Sequence, residues 1–282
     1  MKIIIGCDPE VFVRGNNGYI PARVVAPNLG DKNNPTDFGD GTNGQIDGMA
    51  LEFGITPTSN GEVFVQRVKK ALRHFDDLAR SHSPNNSLAL VPAATFFFDN
   101  WRDQVNPVDF ELGCNPDFNA YTGRRNVIPK NVPPGFRTAA GHIHIGWTKN
   151  EDPFSPGHLA DCRDVVKQLD AMFQGFCDLN EVRLEKVRRR LYGKAGAFRP
   201  KPYGVEYRVP SNSWLRSQEL VWQTHQLTMK AVKDLASGEF YPEYSGVDAR
   251  KIINSGKFLS PLHRIPTRYF RVGDRTPGWW RR

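Results

Sequence analysis

The 282-residue sequence contains no run of about 18 apolar residues, which excludes a membrane-spanning helix. Its first residues, Met1-Lys2-Ile3-Ile4-Ile5-Gly6, are too few to form the apolar core of a signal peptide. Cysteine is sparse: Cys7, Cys114, Cys162 and Cys177 lie far apart and make no Cys-x-x-Cys pair. That spacing fits neither a disulfide framework nor a structural zinc site, so a reducing cytoplasm is the expected location. No G-x-x-x-x-G-K-[ST] loop occurs, so any ATP site is of another kind, and no His-Glu-x-x-His supplies a zinc hydrolase. Gly39-Asp40-Gly41-Thr42-Asn43-Gly44 matches G-x-G-x-x-G, but no strand pattern leads into it and no helical pattern follows. Ser211 and Ser213 have no nucleophile-elbow context.

What is present describes a globular chain, 39% hydrophobic and 24% charged, with 25 Gly and 21 Pro that imply many turns. The formal charge of +8 is uneven. Between Arg183 and Lys201 eight bases face Glu185 alone, and the stretch after His263 carries six arginines against Asp274. The first sixty residues are acidic instead. Basic clusters of this kind suit a polyanion, either nucleic acid or a nucleotide's phosphates, or form a solvated face.

Apolar spacing predicts a helix over Glu62–Ala79, entered through the capping-box spacing of Ser59-Asn60-Gly61-Glu62, and another over Leu159–Leu191 after Ser155-Pro156. A third runs over Leu215–Leu235, and a short fourth lies between Val247 and Asn254. Strand patterns fall at Lys2–Gly6, Glu10–Arg14, Leu88–Val91, His142–Trp147 and Val205–Val209. Irregular alternation of strands and helices favours antiparallel pairing. The expected fold is therefore α+β: one domain over residues 1–260, a curved sheet with helices packed on its outer face, and a basic, aromatic extension over 261–282. Long connections, Asn28–Gly44 and Asn115–Gly135, are expected to rim the open face.

Four segments carry chemistry, because strand residues two apart share a face. Asp8 and Glu10 share one, and a turn at Asp47-Gly48 feeds a strand bearing Glu52. His142 and His144 alternate with Ile143 and Ile145, and Glu206 shares a face with Arg208. Each alone is weak, since a Glu-x-Arg strand is usually a cross-strand ion pair. Brought side by side, these carboxylates would repel unless divalent cations lay among them. Magnesium or manganese suits ligation by oxygen with some imidazole. Cations facing Arg208 and the loop Gly193-Lys194-Ala195-Gly196-Ala197-Phe198-Arg199 suit a polyphosphate.

In this order the segments resemble the glutamine synthetase-like carboxylate–amine ligases, which include glutamate–cysteine ligase. They are most similar to the short phage-encoded amidoligases of the type-two carboxylate–amine ligase group. The resemblance rests on Gly6-Cys7-Asp8-Pro9-Glu10, Asp47-Gly48 with Glu52-Phe53, Gly113-Cys114-Asn115-Pro116-Asp117, Gly141-His142-Ile143-His144-Ile145-Gly146, and Tyr192-Gly193-Lys194-Ala195-Gly196 running into Tyr203-Gly204-Val205-Glu206-Tyr207-Arg208. It covers roughly residues 1–240. It implies an antiparallel sheet forming a half-open funnel and an ATP-dependent ligase that makes an amide through an acyl phosphate. It also implies ATP and magnesium or manganese as cofactors, and a cytoplasmic setting that would be a phage host's.

By the same resemblance Asp8, Glu10, Glu52, His142 and Glu206 would be metal ligands, with Asp8 standing where the superfamily usually has a second glutamate. His142 and His144 would also meet nucleotide phosphates, Arg208 the γ-phosphate, and Lys194, Arg199 and Arg190 would assist. Arg208 would stabilise charge on the transferred phosphoryl group, and Glu52 or His144 would take the amine's proton. The implied partners are a small-molecule or peptide carboxylate and an amine, with cell-wall material or a modified nucleotide also possible. Nucleic acid could meet the basic segments, no membrane is expected, and an oligomer is compatible. Two other functions fit the same residues. One is a two-metal phosphodiesterase or nuclease; the other is a non-catalytic nucleic-acid-binding protein whose Trp279, Trp280 and C-terminal arginines stack on bases and contact phosphates.

Overall fold

The computed structural model describes residues 2–97, 105–110, 117–127, 132–133, 135–173, 182–244, 248–255 and 279–281. Its strands in chain order begin with β1 (Ile4–Cys7), β2 (Glu10–Gly15), β3 (Gly18–Ile20), β4 (Thr36–Gly39), β5 (Thr42–Asp47) and β6 (Ala50–Ile55). They continue with β7 (Ser87–Ala89), β8 (Ala93–Thr95), β9 (Phe118–Asn119), β10 (Phe136–Thr138), β11 (Ile143–Gly146), β12 (Ala197–Lys201) and β13 (Gly204–Tyr207). The main helices are α1 (Ala22–Val25), α2 (Gly61–His82), α3 (Pro156–Phe173), α4 (Val182–Leu191) and α5 (Gln218–Ala236). Two short ones follow, α6 (Tyr241–Tyr244) and α7 (Ala249–Ser255).

Every strand pair is antiparallel. One sheet runs β1-β11-β13-β12-β9, a second runs β3-β2-β6-β5-β4 with β7 also on β2, and β8 pairs β10. The chain leaves the first sheet at Cys7 and enters the second at Glu10, so Asp8-Pro9 is the corner that joins them. Across that corner the Glu10 amide donates to the Ala140 carbonyl (2.9 Å) and the Phe53 amide to the Pro9 carbonyl (3.3 Å). The result is a curled antiparallel half-barrel.

The period of two then sorts side chains by face. Register pairs Cys7 with Ile143, Ile143 with Tyr207, and Tyr207 with Phe198, all buried against the helices. On the other face Gly6, His144, Glu206 and Arg199 fall in one row. Helix α2 covers the second sheet, burying Phe64, Val65, Val68, Leu72 and Phe75, while α3 covers the first with Cys162, Val166, Leu169 and Phe173.

Several boundaries differ from the apolar pattern for local reasons. The cap of α2 is Asn60, whose side chain accepts from the Glu62 and Val63 amides, so Ser59 is not the capping residue. The stretch expected as one helix from Leu215 is a 3-10 turn, Asn212–Arg216, then α5, because Ser217 is extended and caps the Leu220 amide. Helices α3 and α4 cover both ends of the predicted Leu159–Leu191 helix, and residues 174–181 between them lie outside the described residues. The supposed connection Asn28–Gly44 contains β4 and the start of β5. The G-x-G-x-x-G decoy is the turn of that hairpin, with Gly39 and Gly41 at positive φ.

The C-terminus is also different from a free tail. Trp279 and Trp280 are buried in the main core, and Trp279 donates its indole N–H to the Leu215 carbonyl (2.8 Å). Arg281 closes a fork on Asp76 of α2 at 2.6 and 2.7 Å. Neither indole is thus available to stack on a base, which removes the aromatic part of the nucleic-acid-binding expectation; residues 256–278 and Arg282 lie outside the described residues. Trp279→Ala is expected to cost about 3–5 kcal/mol, read as the denaturant midpoint. An unchanged midpoint would show that this contact contributes nothing.

Candidate active site

The cavity face of the sheet gathers the acids and imidazoles. Among the described residues two triads have ligand atoms within 4.8 Å of one another: Asp8, His142 and Glu206, and Glu10, Asp47 and Glu52. The first forms where β1, β11 and β13 lie side by side. Asp8 Oδ1 is 3.5 Å from His142 Nδ1, its Oδ2 is 3.0 Å from His144 Nε2, and Glu206 Oε1 is 3.6 Å from His142 Nδ1. The second forms on the other sheet, where Glu10 is directly opposite Glu52 and Gln45 opposite Glu52 in turn. Asp47 shares the face of Gln45 because it lies two residues further along β5, just before the hairpin turns through Gly48, at positive φ, and Met49.

Electrostatics separate the two triads. Burial pushes Glu10 up, reinforced by Asp47, to about 8, although its Oε2 accepts the Ala140 amide at 2.9 Å. Burial and the charges of Asp8, Asp47 and Glu10 push Glu52 well above the carboxylate range, while Gln45 donates to its Oε1 (2.9 Å). In the first triad burial also acts upward, but the imidazoles outweigh it at Asp8, which is held well below the usual range. Burial and Asp8 push Glu206 up, yet His142, Arg208 and His144 bring it down to about 2. His142 is lowered by burial and Arg208; at His144 the Asp8 carboxylate overcomes burial and raises it.

Cations surround Glu206. Arg208 donates to its Oε1, while Lys201 Nζ is 2.9 Å and Arg199 Nη1 3.4 Å from its Oε2. Arg208 Nε is 3.5 Å from Asp117, the described end of the Gly113–Asp117 motif; its residues 113–116 lie outside the described residues. Tyr203 meets His144 Nδ1.

Beside these groups is a cleft whose walls include Glu10, Asp47, His142, Arg137, Arg188 and Arg208. Arg188 was not singled out by its sequence context; Arg190 was. In the structure Arg190 is exposed, whereas Arg188 is fully buried and reaches the cleft from α4, so that helix is not confined to the outer face. Arg188 takes the space beside Gly193, where the chain is at φ +65° and a Cβ would collide with its guanidinium. Lys194 is exposed and does not line the cleft. The loop around it is not a phosphate cradle at its centre, because the Ala195 amide donates to Asn254 (2.9 Å) and the Gly196 amide to buried Asp170 (2.7 Å).

The donor set fits divalent cations. Asp8 Oδ1 is buried without a hydrogen-bond partner, and mixed carboxylate and imidazole ligation suits magnesium or manganese. Asp8, His142 and Glu206 would hold one ion, and Glu10, Asp47 and Glu52 another. Acids and imidazoles thus lie beside the buried guanidinium groups of Arg137, Arg188 and Arg208. Residues 135–239 match the family model described as Phage phiEco32-like COOH.NH2 ligase-type 2, a carboxylate–amine ligase family by its name. That is the phage-type family the motifs resemble, and the resemblance is borne out over this stretch. The match contains His142, His144, Glu206 and Arg208, while Asp8, Glu10 and Glu52 precede it. A search of curated proteins found no match. Among the described residues no helix is long and apolar enough to cross a membrane.

Proposed function

We propose that the protein is an ATP-dependent ligase that activates a carboxylate as an acyl phosphate and transfers the acyl group to an amine. The observation that supports this most is that members of both ligand triads, His142 of one and Glu10 and Asp47 of the other, line one cleft with Arg208, and that His142 and Arg208 lie within the family-matched stretch. A carboxylate is a poor electrophile, and its approach to ATP brings two anions together. Divalent ions bound at the triads would neutralise that charge and align the phosphates.

The chain's own groups supply the rest. Arg208, fixed by Glu206 and Asp117, places a guanidinium where phosphoryl charge develops. Arg199 and Lys201 extend the positive wall along β12. The amine must lose a proton. Glu52 belongs to a triad, whereas His144 lies outside both, so His144 is the assigned acceptor. Asp8 at Nε2 and Tyr203 at Nδ1 fix its ring, so the proton would reach Nδ1 through the Tyr203 hydroxyl, which passes its own proton on as it takes the amine's. Two-metal phosphodiester cleavage would use the same triads.

The test is a screen of acid and amine pairs with ATP and Mg²⁺, following ADP release and the intact mass of the product. ADP and amide in equal amounts are expected. Cleavage of nucleic acid with no ADP formed from any pair would replace the ligase reading with the phosphodiesterase.

A further inference from the structure

The longer helices pair outward bases with acids. Lys70 of α2 meets Asp40 and Arg80 meets Asp76, Lys167 of α3 meets Asp164, and Lys230 of α5 meets Asp234. Helix α4 does not. Arg183, Lys186 and Arg190 are exposed at spacings of three and four residues, so they form one stripe, and exposed Lys194 follows just beyond the helix end. Among the described residues none of the four has an acid within ion-pair distance. The single acid of α4, Glu185, is buried, 3.5 Å from Arg189 and accepting from Ser211 and Ser213. Like charges three and four residues apart weaken a helix, so a stripe of one sign is unfavourable until an anion meets it.

The positive surface does not end with α4. Asn119 donates through Nδ2 to the Ala195 carbonyl (3.1 Å) and the Ala120 amide to the Gly196 carbonyl (2.8 Å), which ties the loop after β9 to the residues that follow Lys194. That loop presents Arg124 and Arg125, both exposed. The Ala195 amide donates to Asn254 of α7, whose Arg250 and Lys251 are exposed but share Asp248 (3.3 and 3.8 Å) and so add less net charge.

We propose that the outer face of α4 is a docking surface for duplex nucleic acid, held through its phosphate backbone without regard to sequence. Charge complementarity selects a polyanion. At about 1.5 Å per residue Arg183 and Arg190 lie roughly 10 Å apart along the helix axis, a length over which one strand of a duplex offers about three phosphates. Helix α4 carries no aromatic residue on which an unpaired base could stack, and Trp279 and Trp280 are in the core, so the surface suits a duplex and not a single strand. The surface stands whichever reaction the cleft performs.

The experiment follows fluorescence anisotropy of a labelled duplex of about 20 base pairs, DNA in one arm and RNA in the other, as the full chain is added between about 50 and 200 mM KCl. At least one duplex is expected to bind, with log K falling against log [KCl] at a slope of about −3 to −5, and the tighter arm identifies the source. Changing Arg183→Gln, Lys186→Gln, Arg190→Gln and Lys194→Gln together is expected to cost about thirtyfold at about 100 mM KCl and to flatten the slope by about three. A control with the same charge loss at exposed Lys2, Arg14, Lys32 and Lys149 is expected to keep the slope. Should the fourfold variant not fold, the pairs Arg183→Gln with Lys186→Gln and Arg190→Gln with Lys194→Gln are each expected to lose about half of that slope. Four results overturn the surface: no duplex bound at the lowest salt, with or without binding to phosphatidylserine vesicles instead; a single strand of the same sequence bound more tightly than either duplex; stripe variants that bind like the parent; or a control that loses as much as the stripe variant.

Discussion

Arg208→Lys is expected to lower ATP-dependent ligation by about 10²–10³-fold while leaving the chain folded. The arginine is buried; its guanidinium donates to Glu206, and its Nε lies 3.5 Å from Asp117. A planar fork can hold both acids and still direct N–H groups at a phosphoryl oxygen, whereas an ammonium on a flexible stem holds one partner at a time. The backbone is not at stake, since the Arg208 amide donates to the Ala197 carbonyl (3.0 Å) whichever side chain follows. Lysine also preserves a cation at Glu206 Oε1, whereas alanine would leave the buried carboxylate only Lys201 and Arg199 at Oε2. Because the contact is assigned to developing charge, kcat should carry most of the loss and the KM for ATP little. Steady-state ADP release and a melting curve on the same preparation check this. Turnover within threefold of the parent protein would remove Arg208 from the chemistry.

How much of this was legible beforehand depends on whether local period sufficed. His142 and His144 alternate with two isoleucines, so a strand there can only put both imidazoles on one face and both apolar groups on the other. The structure does so, with Ile143 and Ile145 fully buried. Glu206 and Arg208 follow by the same rule around buried Tyr207. Asp47 was less visible, because its place beside Glu10 and Glu52 depends on the register of the β5–β6 hairpin. Counting back from the Gly48-Met49 turn would have given it. Nothing comparable distinguishes Arg188 from Arg190, since successive helical residues point about 100° apart and the tilt of α4 decides which enters the cleft. The β4–β5 hairpin was missed because Thr42-Asn43-Gly44-Gln45 has little strand propensity of its own; pairing with β6 overrides it. Trp279 and Trp280 show the opposite error, in which aromatic residues beside arginines look like an exposed contact surface while tertiary contacts bury them.

The second large effect expected is a reversal of pH dependence by Mg²⁺. Without cations, Glu10 titrates near 8 and Glu52 well above the carboxylate range, against about 4.3 for an unfolded glutamate. A carboxyl whose folded pKa is raised lends stability below its unfolded value and loses it as pH rises through the folded one. Cation-free protein should therefore lose on the order of several kcal/mol from Glu10 alone between roughly pH 4.5 and 8. Asp8 and Glu206 act at the other limb. They are depressed, Glu206 to about 2, so their contribution is present above about pH 4 and is lost as pH falls toward 2. Mg²⁺ requires the ionised carboxylates, so its binding must expel the protons that Glu10 and Glu52 hold at neutral pH. The melting temperature gained from Mg²⁺ should grow steadily from pH 5.5 to 8, with about one or two protons released per site filled at pH 7. Glu10→Gln has no proton to lose, so without cations it should melt higher than the parent at pH 8, and Mg²⁺ should add little to it. Paired melting curves across that range, with proton release followed in weakly buffered solution, measure both quantities. A Mg²⁺ effect that is flat with pH and releases no protons would place the cation away from Glu10 and Glu52. The ligase chemistry would then have to run on the Asp8, His142 and Glu206 triad alone.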